Sequence, residues 1–87
     1  NPNHPNPFNP STTIRYFLPR AGEARLKVFD LAGRLVTTLV SGRREAGEQV
    51  AHWHGMDDGG RAVASGVYLL RLDHDDGTRT RRMVLLR

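Results

Sequence analysis

The chain has 87 residues, 38% of them hydrophobic and 25% charged, with a net charge of +4 and no cysteine. A domain of this length has a thin core and a narrow stability margin, its composition excludes a disordered tail, and the missing thiols exclude thiolate metal sites and redox chemistry. No apolar run approaches the roughly 20 residues that span a bilayer as a helix, no signal peptide opens the sequence, and the start at Asn1 instead of a methionine reads as an excised or processed piece of a longer protein.

Residues 1–11, Asn-Pro-Asn-His-Pro-Asn-Pro-Phe-Asn-Pro-Ser, hold four of the five prolines. Proline fixes φ and removes a main-chain donor, so this stretch is expected to be an extended linker arm, neither helix nor central strand. Six strands are expected in the remainder, 12–87. The first, 12–18, alternates Ile14, Tyr16 and Leu18 on one face with Thr13, Arg15 and Phe17 on the other. Pro19-Arg20-Ala21-Gly22 turns the chain into 24–30, where Leu26 and Val28 point inward against Arg25 and Lys27. A tight connection through Leu31-Ala32-Gly33-Arg34 leads back along 35–40, and 41–47 reads as a polar loop. Strand 49–54 carries Trp53, and a long loop over 55–66 contains Asp57-Asp58-Gly59-Gly60. Strand 67–73 holds the most apolar stretch of the chain. Asp75-Asp76-Gly77 predicts a hairpin built on φ > 0 residues, and 79–86 closes the sheet.

No window of helix length keeps a 3.6-residue apolar period. Short strands separated by turn residues predict instead an all-β, Ig-like antiparallel β-sandwich of about 6–7 strands. Leu26, Val28, Trp53, Tyr68 and Leu70 are its expected core between the two sheets.

Four segments then match a known pattern in order. Pro5-Asn6-Pro7-Phe8-Asn9-Pro10-Ser11-Thr12-Thr13-Ile14 resembles the opening of type IX secretion system type A sorting domains. Phe29-Asp30-Leu31-Ala32-Gly33-Arg34 is similar to their YD-x-x-GR segment, and Ser65-Gly66-Val67-Tyr68-Leu69-Leu70-Arg71-Leu72 to their SGVY-x-x-RL strand. Arg82-Met83-Val84-Leu85-Leu86-Arg87 resembles their basic closing segment, with arginine in place of the usual lysine. The middle of the chain, from Ala46-Gly47 through Trp53-His54-Gly55 to Asp57-Asp58-Gly59-Gly60-Arg61, is similar to the related FlgD-type Ig-like domain, although His54 stands where that pattern has aspartate. The resemblance implies a C-terminal sorting signal, recognised by the type IX translocon, cut by a sortase-like peptidase and joined covalently to an upstream cargo domain. It further implies passage through the periplasm to the outer-membrane surface or beyond. The alternative of a different class is a structural module, a hook-capping or surface-filament subunit whose N-terminal arm adds as a strand to a neighbour and makes a homo-oligomer.

Within that resemblance the last strand is the candidate recognition surface. Arg79, Arg81, Arg82 and Arg87 flank the apolar run Met83, Val84, Leu85 and Leu86. Such a strand is open to strand addition, while basic residues on an edge are equally a device against aggregation. Pro5, Asn6, Pro7, Phe8, Asn9 and Pro10 form a linker motif, read either as a recognised segment or as Phe8 plugging the sandwich. Asp30, Gly33 and Arg34 read as a structural turn, Gly66 as a structural glycine, and Trp53 and Tyr68 as core, with a carbohydrate platform as the other use of such rings.

No catalytic residue, cofactor or metal site is expected. Asp57, Asp58, Asp73, Asp75 and Asp76 lack the D-x-D-x-D-G spacing of a calcium loop, and His52 and His54 lack further ligands for zinc. No phosphate-cradling glycine loop occurs. Twelve of the thirteen cations are arginine, which favours acidic partners. Their spread over every strand, without interleaved outward aromatics, speaks against nucleic acid.

Overall fold

The computed structural model describes residues 11–86. Six strands follow in chain order: β1 (Thr12–Leu18), β2 (Gly22–Phe29), β3 (Leu35–Arg44), β4 (Gly47–Trp53), β5 (Gly66–His74) and β6 (Gly77–Leu85). Among the described residues there is no helix. β1 and β4 form one antiparallel pair, and the other strands form a four-stranded antiparallel sheet in the order β3-β2-β5-β6. The all-β antiparallel sandwich expected from the sequence is the fold.

Period-two patterning builds it. On β2 Ala24, Leu26 and Val28 are buried while Glu23 and Arg25 are exposed, because successive strand side chains point to opposite faces. Register then places Leu26 opposite Leu72 and Val28 opposite Leu70, so the inner faces of β2 and β5 form one apolar surface. β1 and β4 lay Ile14, Ala51 and Trp53 on it. Burying a side chain of Leu, Val or Ile size is worth about 1.5–3 kcal/mol, which lets so small a core offset the ordering of the chain.

Trp53 and Tyr68 sit at the centre of this core, edge to face, with ring centroids 5.1 Å apart and planes at 73°. Their polar ends are both satisfied. Trp53 Nε1 donates to the carbonyl of Met56 at 3.0 Å, and the Tyr68 hydroxyl donates to the carbonyl of Ala64, four residues upstream, at 2.6 Å. A buried tryptophan between the sheets, beside a tyrosine bonded back to its own preceding chain, is the packing of Ig-like sandwiches.

Three local expectations are corrected. Residues 41–44 are not loop: β3 continues to Arg44, pairing Ser41 with Arg25 and Arg44 with Gly22. An edge strand beyond the core has no burial to demand apolar residues, so its polar sequence reads as loop. At the β5–β6 hairpin, no residue other than glycine has positive φ, and Gly77 alone takes φ 133°. The hairpin thus falls at Asp75-Asp76 as expected, with His74 paired to Gly77, but its positive φ is confined to the glycine and the two aspartates do not share it. The strand holding Trp53 also ends at that residue, leaving the exposed His54 outside it.

Candidate functional site

The two sheets differ in width, and this creates the site. On one side they are joined by the short link from Arg44 to Gly47, which carries β3 into β4. On the other side β1 ends the narrow sheet and β6 ends the wide one, with no pairing between them. A groove of about 400 Å³ opens along this seam, floored by Leu26, Leu70 and Leu72 and bordered by Tyr16, Arg79 and Arg81. A smaller hollow of about 140 Å³ continues it past Phe17, Leu18 and Thr78. Burial raises the Tyr16 phenol above its ordinary value of 10.0, against the pull of the Arg44 guanidinium.

Register decides what β6 contributes. Residues directly opposite in an antiparallel pair share a face. Leu72 faces Arg79, Leu70 faces Arg81, Tyr68 faces Met83 and Gly66 faces Leu85. The inner face of β6 is thus Arg79, Arg81, Met83 and Leu85, and its outer face includes Thr80, Arg82 and Val84. Leu85 is 1% exposed and Met83 packs against the core. Neither is presented outward, which corrects their place in the candidate recognition surface. Val84 and Leu86, 57% and 75% exposed, are presented. Arg79 and Arg81 face inward yet stay exposed, because no strand of the narrow sheet lies over them. Arg81 reaches across the seam and donates from Nη2 to the carbonyl of Arg15 at 3.4 Å. Arg87 and the linker motif Pro5, Asn6, Pro7, Phe8, Asn9 and Pro10 lie outside the described residues.

Asp30, Gly33 and Arg34 form a closed turn at the opposite end of β2. Asp30 Oδ1 accepts the N–H groups of Ala32 and Arg34, both at 2.9 Å, and Oδ2 accepts Nε of Arg34 at 3.1 Å. Gly33 supplies φ 87° and donates to the Asp30 carbonyl. Residues 57–61 repeat this construction. Asp57 Oδ1 accepts the N–H groups of Gly59 and Arg61 at 2.9 Å, and Gly60 has φ 80°. The sequence carries the signal, D-x-x-G-R at 30–34 and again at 57–61, which reading the second stretch as a plain loop misses. Asp58 ties the second turn to β3, donating its N–H to the carbonyl of Val36 and accepting the Thr37 hydroxyl at 2.7 Å.

Two further acids are engaged in protein contacts. Asp73 accepts from Arg71 and from the Thr78 hydroxyl, and Asp76 pairs with Arg20. His52 lies beside Thr13 on an exposed face. Among the described residues no three His, Asp or Glu side chains gather as a metal site, and no helix is long and apolar enough to cross a membrane. Gly66 opens β5 with φ 156°, where nothing approaches within 4 Å of a built Cβ.

Two antiparallel sheets closing on a Trp–Tyr pair define an Ig-like sandwich module. The model of the FlgD Ig-like domain matches residues 10–78, and the chain belongs to that family. Among solved structures, FlgD from P. aeruginosa is similar at a TM-score of 0.68 and 23% identity, over 86% of this chain and 59% of that one. FlgD from Xanthomonas campestris, whose structure concerns the hook capping essential for flagellar assembly, is similar at a TM-score of 0.63 and 22% identity, over 90% of this chain and 57% of that one. At such identities the likeness is one of fold, and the chain spans less than two thirds of either FlgD. No curated protein matches the sequence. These matches carry the FlgD-related part of the resemblance; none of them is to a type IX sorting domain.

Proposed function

We propose that the chain is a non-catalytic Ig-like assembly module of a larger exported protein, working through contacts of its open strand edges with other polypeptides. The observation that carries this is the topology: a two-stranded sheet against a four-stranded one, each ending in strands with one unpaired side. Unpaired edges are templates for strand addition. Membership of the FlgD Ig-like family supports the same reading, with the proline-rich arm of residues 1–11 as the strand donated to a neighbour's edge. Sedimentation of the 87-residue chain over a range of concentrations tests it. Oligomers that grow with concentration and vanish when residues 1–11 are removed are expected; a monomer at every concentration overturns self-assembly.

A second reading is favoured by the four ordered sorting-domain motifs and by the exposed Val84 and Leu86 at the open end of β6. In it the module is a type IX sorting signal, with the translocon and a sortase-like peptidase as partners, and its cargo is delivered to the cell surface. Fusing the chain to a foreign exported protein in a type IX-competent bacterium separates the two. Surface delivery supports the sorting signal, and periplasmic retention excludes it.

A further inference from the structure

We infer that the edge of β1 left unpaired among the described residues receives an extended acidic segment of another protein, added as a strand whose alternate carboxylates meet Arg79 and Arg81. The proposal deepens the open-edge reading above and shares with it only the premise that the β1 edge is free.

Three observations lead to it. First, the wide sheet extends past the narrow one, so among the described residues no strand lies over the inner face of β6, although its neighbours Leu70 and Leu72 do contribute to an apolar floor. Second, Arg79 and Arg81 occupy alternate positions on that inner face, and no carboxylate among the described residues pairs with either. Covering an arginine without a counter-charge is costly, so whatever fills the seam must bring its own anions. Third, Arg81 already donates to the carbonyl of Arg15, so this main-chain acceptor of β1 points into the seam and takes a donor there.

These constraints specify the occupant. Same-face residues of a strand repeat every second position, at about 6.4–6.8 Å, which is also the repeat of Arg79 and Arg81. The matching segment is therefore Asp/Glu-x-Asp/Glu in extended conformation, with small or apolar residues between. The chain's own arm does not match it, since residues 1–10 contain no Asp or Glu. Inward charges on an edge strand also deter aggregation. Here, however, the charges stand across from β1, while the inner face of β1 carries Thr12, Ile14, Tyr16 and Leu18 and leaves its edge receptive.

The test uses the full 87-residue chain and a fluorescein-labelled peptide alternating Glu with Val and Thr, followed by anisotropy and by amide exchange. Saturable binding is expected, with slowed exchange within residues 13–17. Arg79→Gln and Arg81→Gln should each weaken it roughly tenfold or more, as loss of one member of a covered charge pair does. Arg82→Gln, on the outer face, should change it by less than about twofold, as an exposed pair does. Replacing Glu by Gln in the peptide should abolish it, and circular dichroism should show each variant folded. Equal losses for all three arginines, or equal competition by heparin, would mean a plain polyanion effect and overturn the proposal. So would no binding, leaving Arg79 and Arg81 as protective charges. A monomer that binds the peptide refutes self-assembly and leaves this inference standing.

Discussion

Asp30 and Asp57 hold equivalent positions in two separate loops, each carboxylate accepting the main-chain N–H groups of the second and fourth residues after it at 2.9 Å. Bonds from N–H groups stabilise the charged form. Both carboxyls accordingly titrate below the ordinary 3.8, chiefly through the N–H of Arg34 and of Arg61. A folded-state pKa below the unfolded one adds stability that is complete above the unfolded value and disappears as pH falls through the folded value. The urea midpoint should drop as pH falls from about 5 to about 2, less in Asp30→Asn and least in Asp30→Asn with Asp57→Asn. An identical drop in all three proteins would remove these carboxyls from the acid response.

Gly33 separates backbone strain from crowding. Its φ is +87° and nothing lies within 4 Å of a Cβ built there. Gly33→Ala therefore meets no clash, and its whole cost is the left-handed conformation, about 1–2 kcal/mol. Equilibrium urea unfolding should show a lower midpoint with unchanged slope, since the surface exposed on unfolding is the same. A cost near zero would mean that the loop relaxes to another turn.

The fold is legible in the sequence where burial enforces alternation. Ala24, Leu26 and Val28 alternate with charged residues because β2 is central and one of its faces is core. Ser41, Gly42, Arg43 and Arg44 show no such pattern, because an edge strand can pair through its main chain alone. The candidate site is less legible for a related reason. In residues 78–82, Thr-Arg-Thr-Arg-Arg, alternation is visible, yet only the pairing of Leu70 with Arg81 and Gly66 with Leu85 says which face is inward. A one-residue change of register exchanges the faces, and register is a property of two strands. The repeated D-x-x-G-R spacing is local and is present in the sequence; the run Asp58-Gly59-Gly60 conceals it by also reading as an ordinary turn.

Tyr68 and Trp53 make a testable pair. Tyr68→Phe keeps the ring against Trp53 and removes only the hydroxyl bond to Ala64. A single intramolecular hydrogen bond contributes about 0.5–1.5 kcal/mol, so loss of about 1 kcal/mol is expected. Trp53 is the chain's single tryptophan, and its fluorescence reports the transition in this variant. Trp53→Ala, by contrast, should cost about 3–5 kcal/mol, a large part of a small domain's stability, and should leave much of the protein unfolded by far-UV circular dichroism. Equal costs for the two changes would mean that the hydroxyl bond, and not ring burial, dominates this corner.

The closing strand combines two roles, and that governs how any signal in it must be tested. Leu85 is buried under Gly66 and belongs to the core, whereas Val84 and Leu86 beside it face solvent. Removing residues 83–87 would therefore take away core together with surface, and loss of sorting or assembly after such a deletion would report unfolding as readily as lost recognition. Single substitutions separate the two. Leu85→Ala should lower stability by about 2–5 kcal/mol, while Val84→Ala and Leu86→Ala should stay within about 0.5 kcal/mol of the parent. Urea unfolding checks those values, and the surface-delivery assay is then run on the folded pair. Delivery lost in Val84→Ala and Leu86→Ala at unchanged stability locates a recognition signal on the outer side of β6. Delivery that tracks stability alone, falling only with Leu85→Ala, means that the strand contributes by folding.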